Sequence, residues 1–107
     1  MPIQYADKPK QPGESLRYSM TFLPGKAIAM GDSLSGTPTV TIASYPGGED
    51  TSSTMIEAGS VSRIGNTIYV GIKGGADAQS YKVTFKCDTT NGEKGVEEDL
   101  MIEVKEL

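Results

Sequence analysis

The sequence predicts an all-β protein: two antiparallel sheets packed face to face, about seven strands in all. Apolar and polar residues alternate with a period of two along successive segments. Gly, Pro and Asn punctuate the gaps between those segments. No window sustains the 3.6-residue period of a helix, and the most helix expected is a single turn near Lys26 to Met30.

The elements follow in order. An N-terminal strand is expected near Ile3 to Ala6. Leu16, Tyr18, Met20 and Phe22 alternate with Arg17, Ser19 and Thr21, giving a strand with one wet face. Val40 and Ile42, set between Thr39 and Thr41, give a shorter one. Val61 and Ile64 flank a short strand that follows the segment around Met55 and Ile56. Ile68, Val70 and Ile72 make the next inward row, then Tyr81, Val83, Phe85 and Cys87, and finally Leu100, Ile102 and Val104.

The connections fit this count. Gly65-Asn66 and Asn91-Gly92 each sit between two runs, as tight hairpins require. Gly74-Gly75-Ala76-Asp77 reads as a longer crossover. Lys8 to Gly13 and Tyr45 to Ser53 are too rich in turn formers for strand. Strands with one apolar face each bury those faces best as a sandwich, the alternative being a small barrel. About fifteen inward side chains at roughly 1.5–3 kcal/mol each supply the driving force.

Tyr81 narrows the topology. It opens a strand directly after the crossover and stands two residues before the inward Val83. Immunoglobulin-like sandwiches place a tyrosine there, ring in the core and hydroxyl bonded back across the corner. The expected fold is therefore an immunoglobulin-like two-sheet sandwich without a disulfide, because Cys87 is the one cysteine. At 107 residues the chain suits one such domain spanning residues 1–107.

Composition excludes most chemistry. There is no histidine, so Ser-His-Asp and Cys-His pairs and the commonest transition-metal ligand are missing. One cysteine cannot build a structural zinc site. Gly25-Lys26 and Gly71 to Gly75 lack the spacing of a phosphate loop. Asp88 to Glu93 lacks the ligand pattern of a calcium loop. Glu97, Glu98 and Asp99 are consecutive strand residues whose side chains alternate between faces; their expected role is to discourage edge pairing. Cys87 lies in phase with Tyr81, Val83 and Phe85 and is expected to be a small buried hydrophobe. No enzyme, no cofactor and no metal are expected.

The formal charge is −4, and residues 93–107 alone carry six acids against two lysines. That acidity argues against nucleic acid, which needs clustered Lys and Arg. No apolar run approaches the roughly 20 residues of a membrane span, so no membrane insertion is expected. Residues 1–5 contain no apolar h-region, so no export signal is expected. What remains is a protein that works through its surface. The candidate partner surface is Arg17, Tyr45, Tyr69, Lys82 and Lys86, polar or aromatic residues on outward positions or in the long loop. Self-association through open sheet edges is a further expectation.

The order of features resembles a family of small immunoglobulin-like proteins of tailed phages and prophages, encoded among virion morphogenesis genes. The resemblance runs through Lys8-Pro9-Lys10-Gln11-Pro12-Gly13-Glu14, the strand Leu16 to Phe22, Leu23 through Gly31-Asp32-Ser33-Leu34, and Thr37 to Ile42. It is fullest in Ile68-Tyr69-Val70-Gly71-Ile72-Lys73-Gly74-Gly75-Ala76, Tyr81-Lys82-Val83-Thr84-Phe85, Thr89-Thr90-Asn91-Gly92 and Asp99-Leu100-Met101-Ile102-Glu103-Val104. It implies a non-enzymatic structural or assembly accessory protein, made in the bacterial cytoplasm and carried in the virion. Its partners would be other virion or assembly proteins, met through protein–protein contacts. The alternative is an immunoglobulin-like module that binds a cell-surface glycan or protein, with Tyr45 and Tyr69 as contacts.

Overall fold

The computed structural model describes residues 4–106. They form seven strands, β1 (Gln4–Tyr5), β2 (Ser15–Thr21), β3 (Leu34–Tyr45), β4 (Ser62–Ile64), β5 (Thr67–Lys73), β6 (Gln79–Thr89) and β7 (Val96–Val104), and one helical turn, α1 (Ser52–Met55). Ile3, expected to begin the first strand, lies outside the described residues.

Two sheets carry the strands, in the orders β1-β7-β6-β3 and β2-β5-β4. All pairings are antiparallel except that of β1 with β7. The predicted inward rows meet between the sheets: Ile68, Val70, Ile72, Val83, Phe85 and Val104 are wholly buried, with Phe22 capping one end. Cys87 is buried among them, as its phase predicts, and its thiol donates to the Ser35 carbonyl.

Tyr81 sits where the corner argument puts it. Its ring is buried and its hydroxyl accepts a hydrogen bond from the Ala76 N–H at 2.9 Å. The crossover 74–78, which carries the chain from one sheet to the other, is tied to the core at that point. The β4–β5 connection is the expected two-residue hairpin, since Ile64 pairs with Thr67. Gly65, at φ +59°, takes the first central position that a type II′ turn reserves for glycine.

Several expectations are corrected. Asn91-Gly92 is not a two-residue hairpin: the ladder between β6 and β7 stops at Cys87 and Val96. A wider loop is stabilised instead by hydrogen bonds from Thr90 N–H to Ser33 O and from Asn91 N–H to the Asp32 carboxylate. The helical turn is Ser52–Met55, where the Met55 side chain is buried, and residues 26–30 form turns around an isolated bridge from Ile28 to Pro24. β3 is long rather than short, because a register shift between Ser35 and Thr39 lets it resume pairing with β6. Ile64, expected to flank the short strand, is its last residue; it is on the wet face and 66% exposed, since it stands opposite Thr67 rather than opposite an inward residue of β5.

The segment that leads into β2 is less exposed than its turn composition suggests. Lys10 bridges to Val104, and its side chain is fully buried, the ammonium donating to the carbonyls of Gly74 (2.7 Å) and Gln11 (2.9 Å). Burial pushes its pKa down, with Glu14 pulling the other way. Lys10 thereby fastens the N-terminal segment to the end of the core where the crossover also lies.

Candidate functional site

The strand register splits the five predicted surface residues between two faces. Arg17 and Tyr69 lie on the outer face of the β2-β5-β4 sheet, where the guanidinium sits 4.6 Å from the centroid of the tyrosine ring. At that distance the pair gains a cation–π attraction, of about 0.5–1 kcal/mol at an exposed site. Beside it the Ser15 hydroxyl donates to the Glu57 carboxylate.

Tyr45, Lys82 and Lys86 lie on the outer face of the other sheet, because Tyr45 pairs with Ser80 and Ala43 with Lys82. The lysines on β6 run beside acids on β7: Lys86 approaches Glu97 at 3.9 Å, and Thr84 donates to Asp99 at 2.8 Å. Both members of the Lys86–Glu97 pair are half-exposed, and such pairs contribute roughly 0–1 kcal/mol. The face is a mixed mosaic of charge, not a basic patch. Tyr45 and Tyr69 are thus placed on opposite outer faces, not side by side.

Glu97, Glu98 and Asp99 alternate as expected, and their surroundings differ. Glu98 stands opposite Phe85 on the core side and is buried. Burial raises its pKa, and neighbouring Asp99 raises it further. Glu98 thus points to the core side of β7 while Glu97 is exposed and Asp99 half-buried.

The loops 22–33, 65–66 and 90–95 come together at one end of the sandwich. Asn66 fastens two of them: its carbonyl accepts from Phe22 N–H and its side-chain oxygen from Leu34 N–H, both at 2.8 Å. Asp32 fastens the third. One carboxylate oxygen accepts from Ser33 N–H (2.8 Å), the Thr90 hydroxyl (2.9 Å) and Asn91 N–H (3.1 Å). Burial alone would raise the Asp32 pKa, but hydrogen bonds from Thr89, Ser33, Thr90 and Asn91 outweigh it and hold the carboxyl below its ordinary range.

On this stiffened end stand exposed apolar side chains. Leu23 is 50% exposed, Met30 78% and Ile64 66%. Sequence reasoning missed all three. Leu23 and Met30 belong to no alternating run, and Ile64 is read only as flanking a short strand. Scattered apolar surface is ordinary, but three large side chains carried by a braced loop end are suited to bury against a partner. Among the described residues no group of three His, Cys, Asp or Glu could hold a metal ion, and no helix is long and apolar enough to cross a membrane.

A family model, Gp77, described as podophage GP4 fiber-tail adaptor protein gp77, matches residues 10–103. No curated protein and no solved structure matches the chain.

Proposed function

Since the chain belongs to the podophage GP4 fiber-tail adaptor family gp77, and so is a phage structural protein, we propose that it joins a tail fibre to the tail through protein–protein contacts. The observation that carries this reading is the family match, which takes in β2 to β6 and nearly all of β7. A joining protein needs surfaces more than it needs reactive groups. The loop end with Leu23, Met30 and Ile64 offers an apolar seat for one partner. The two outer sheet faces, one with Arg17 and Tyr69 and one with Tyr45, Lys82 and Lys86, offer polar contact area for another.

The immunoglobulin-like description belongs to the same proposal. A sheet of β2-β5-β4 facing one of β7-β6-β3 is the division that such domains make between their B, E, D and G, F, C strands. The Tyr81 corner supports it too. We take residues 1–107 as one domain of this kind, carried in the virion and catalysing nothing.

The test is a phage carrying a deletion of this gene. Its particles should assemble heads and tails but lack fibres by electron microscopy, and expressing the chain in trans should restore them. Purified wild-type virions should contain the chain by mass spectrometry. Fibres still attached in the deletion particles would overturn the proposal.

A further inference from the structure

The four outer edges of the two sheets are not alike. The β3 edge is closed along its second half, where Ser44 N–H donates to Glu49 O, Thr51 N–H to Ile42 O, and Ile42 N–H to the Ser52 hydroxyl. Its first half contains Pro38, which has no N–H, and the register shift. The β4 edge is three residues long. The β7 edge is covered by β1 and the Lys10 bridge, and the neighbouring stretch of β7 carries Glu97, Glu98 and Asp99. Each of these is a recognised way to blunt an edge.

β2 is different. It is seven residues long, contains neither proline nor a register shift, and carries one charge, Arg17. Which of its backbone groups face outward follows from the hydrogen bonds around it. Phe22 N–H donates across to Asn66 O, so the ladder to β5 is made by Phe22 and the residues in phase with it: Met20, Tyr18 and Leu16. The opposite phase agrees, because Gly71, opposite Arg17, spends its N–H on the Ser60 hydroxyl and its C=O on Glu57 N–H. Ser15, Arg17, Ser19 and Thr21 therefore aim their N–H and C=O groups away from β5, and among the described residues no backbone hydrogen bond reaches them. Alongside runs an open groove of about 420 Å³, bounded by Leu16 to Ser19 on one side and by Gln4 to Lys8 on the other. The Tyr18 hydroxyl is buried there without a hydrogen-bond partner.

We propose that β2 pairs antiparallel with β2 of a second copy of this chain, about a two-fold axis at Tyr18, to make one continuous six-stranded sheet from two three-stranded ones. The occupant is chosen by the symmetry of the strand. With the axis at Tyr18, Ser15 meets the partner's Thr21, and Arg17 meets the partner's Ser19. Every outward N–H and C=O of the four residues then finds a partner, and the two arginines do not face each other. On the core side Leu16 meets the partner's Met20, which continues the apolar row. This proposal goes beyond the adaptor reading and does not depend on it.

Sedimentation velocity of the full chain over a range of concentrations tests it. A monomer–dimer equilibrium is expected. Ser19→Pro removes an outward N–H while sparing the ladder to β5, so it should weaken the dimer by at least about tenfold with the circular dichroism spectrum unchanged. A second readout covers the case in which that variant misfolds. Oxidising a mixture of Arg17→Cys and Ser19→Cys chains should give the mixed disulfide in excess of either homodimer. A chain that stays monomeric, a dimer indifferent to Ser19→Pro when that variant folds, or no excess of the mixed disulfide would each overturn the proposal. So would a monomer that accepts an extended segment of another protein along β2. Neither readout contains a fibre or tail protein, so failure here leaves the adaptor function standing.

Discussion

The Tyr81 hydroxyl accepts a hydrogen bond from the Ala76 N–H at 2.9 Å, five residues earlier in the chain. The ring is in the core and the acceptor is at the corner, so one side chain couples the packing of β6 to the path of the crossover. Tyr81→Phe keeps the ring and deletes the acceptor. Ala76 is exposed, so water can replace the lost partner, and the expected cost is about 0.5–1.5 kcal/mol in urea unfolding. Tyr81→Ala, which also opens a cavity, should cost about 3–5 kcal/mol. Equal losses in the two variants would show that the hydroxyl, not the ring, holds the corner.

The same crossover tests a glycine. Gly75 has φ +96°, and a Cβ built there would stand 2.8 Å from a Val104 methyl and 3.2 Å from the Met55 methyl. Gly75→Ala combines backbone strain with overpacking against a buried strand, so about 2–4 kcal/mol of destabilisation is expected. Gly13→Ala is the control: nothing lies within 4 Å of its added Cβ and its φ is unremarkable, so its unfolding midpoint should barely move.

How much of this was legible in the sequence depends on whether a residue answers to its own strand or to another part of the chain. Ile68, Val70 and Ile72 alternate with residues that can face water, so period alone places them. Tyr81 was readable because a corner needs a side chain that is apolar along its length and polar at its tip. Period does not place Ile64, because a three-residue strand is too short for alternation to show which face is inward; its register against Thr67 decides that. The helical turn at 52–55 owes its place to distant partners, with the Ser52 hydroxyl donating to Ile42 O and accepting from Ile42 N–H. The loop end that carries Leu23 and Met30 is braced by Asn66 and Asp32 across sequence separations of 32 and 59 residues, as Leu34–Asn66 and Asp32–Asn91 show. No local pattern announces such pairings.

Lys10 supplies a test by pH. Its pKa is lowered in the folded protein because burial penalises the charged form, despite Glu14. The unfolded chain therefore binds the proton more tightly, and stability rises with pH from the folded pKa up to the ordinary value of 10.5. Lys10→Met removes that titration. The stability of the native protein relative to Lys10→Met should improve as pH is raised towards 10.5, read as the gap between their urea midpoints. A gap independent of pH would mean that the ammonium is hydrated after all.

Asp32 works at the other end of the scale. Its folded pKa is depressed, so the carboxylate contributes stability that is present above the ordinary value of 3.8 and is lost as pH falls through the folded pKa. Asp32→Asn should lower stability at neutral pH and flatten the acid side of the stability profile. Amide exchange at Ser33 and Asn91 should quicken in the variant, because their N–H groups donate to that carboxylate. Unchanged exchange there would sever Asp32 from the stiffness of the loop end.

That stiffness matters for the proposed adaptor function, because a partner that buries Leu23, Met30 and Ile64 gains most when they are already held in place. Leu23→Ser and Ile64→Thr change exposed side chains and should leave the unfolding midpoint within about 0.5 kcal/mol of the native value. If the loop end is the seat, each should weaken binding to the fibre or tail protein by about tenfold, measured by surface plasmon resonance with the purified partners. Lys82→Ala and Lys86→Ala provide the contrast. They lie on an outer sheet face, remote from the loop end in the case of Lys82, and a rim charge acts chiefly on the association rate and its salt dependence. If the lysine variants abolish binding while the apolar ones do not, the contact belongs to the sheet face, and Leu23, Met30 and Ile64 are ordinary exposed side chains.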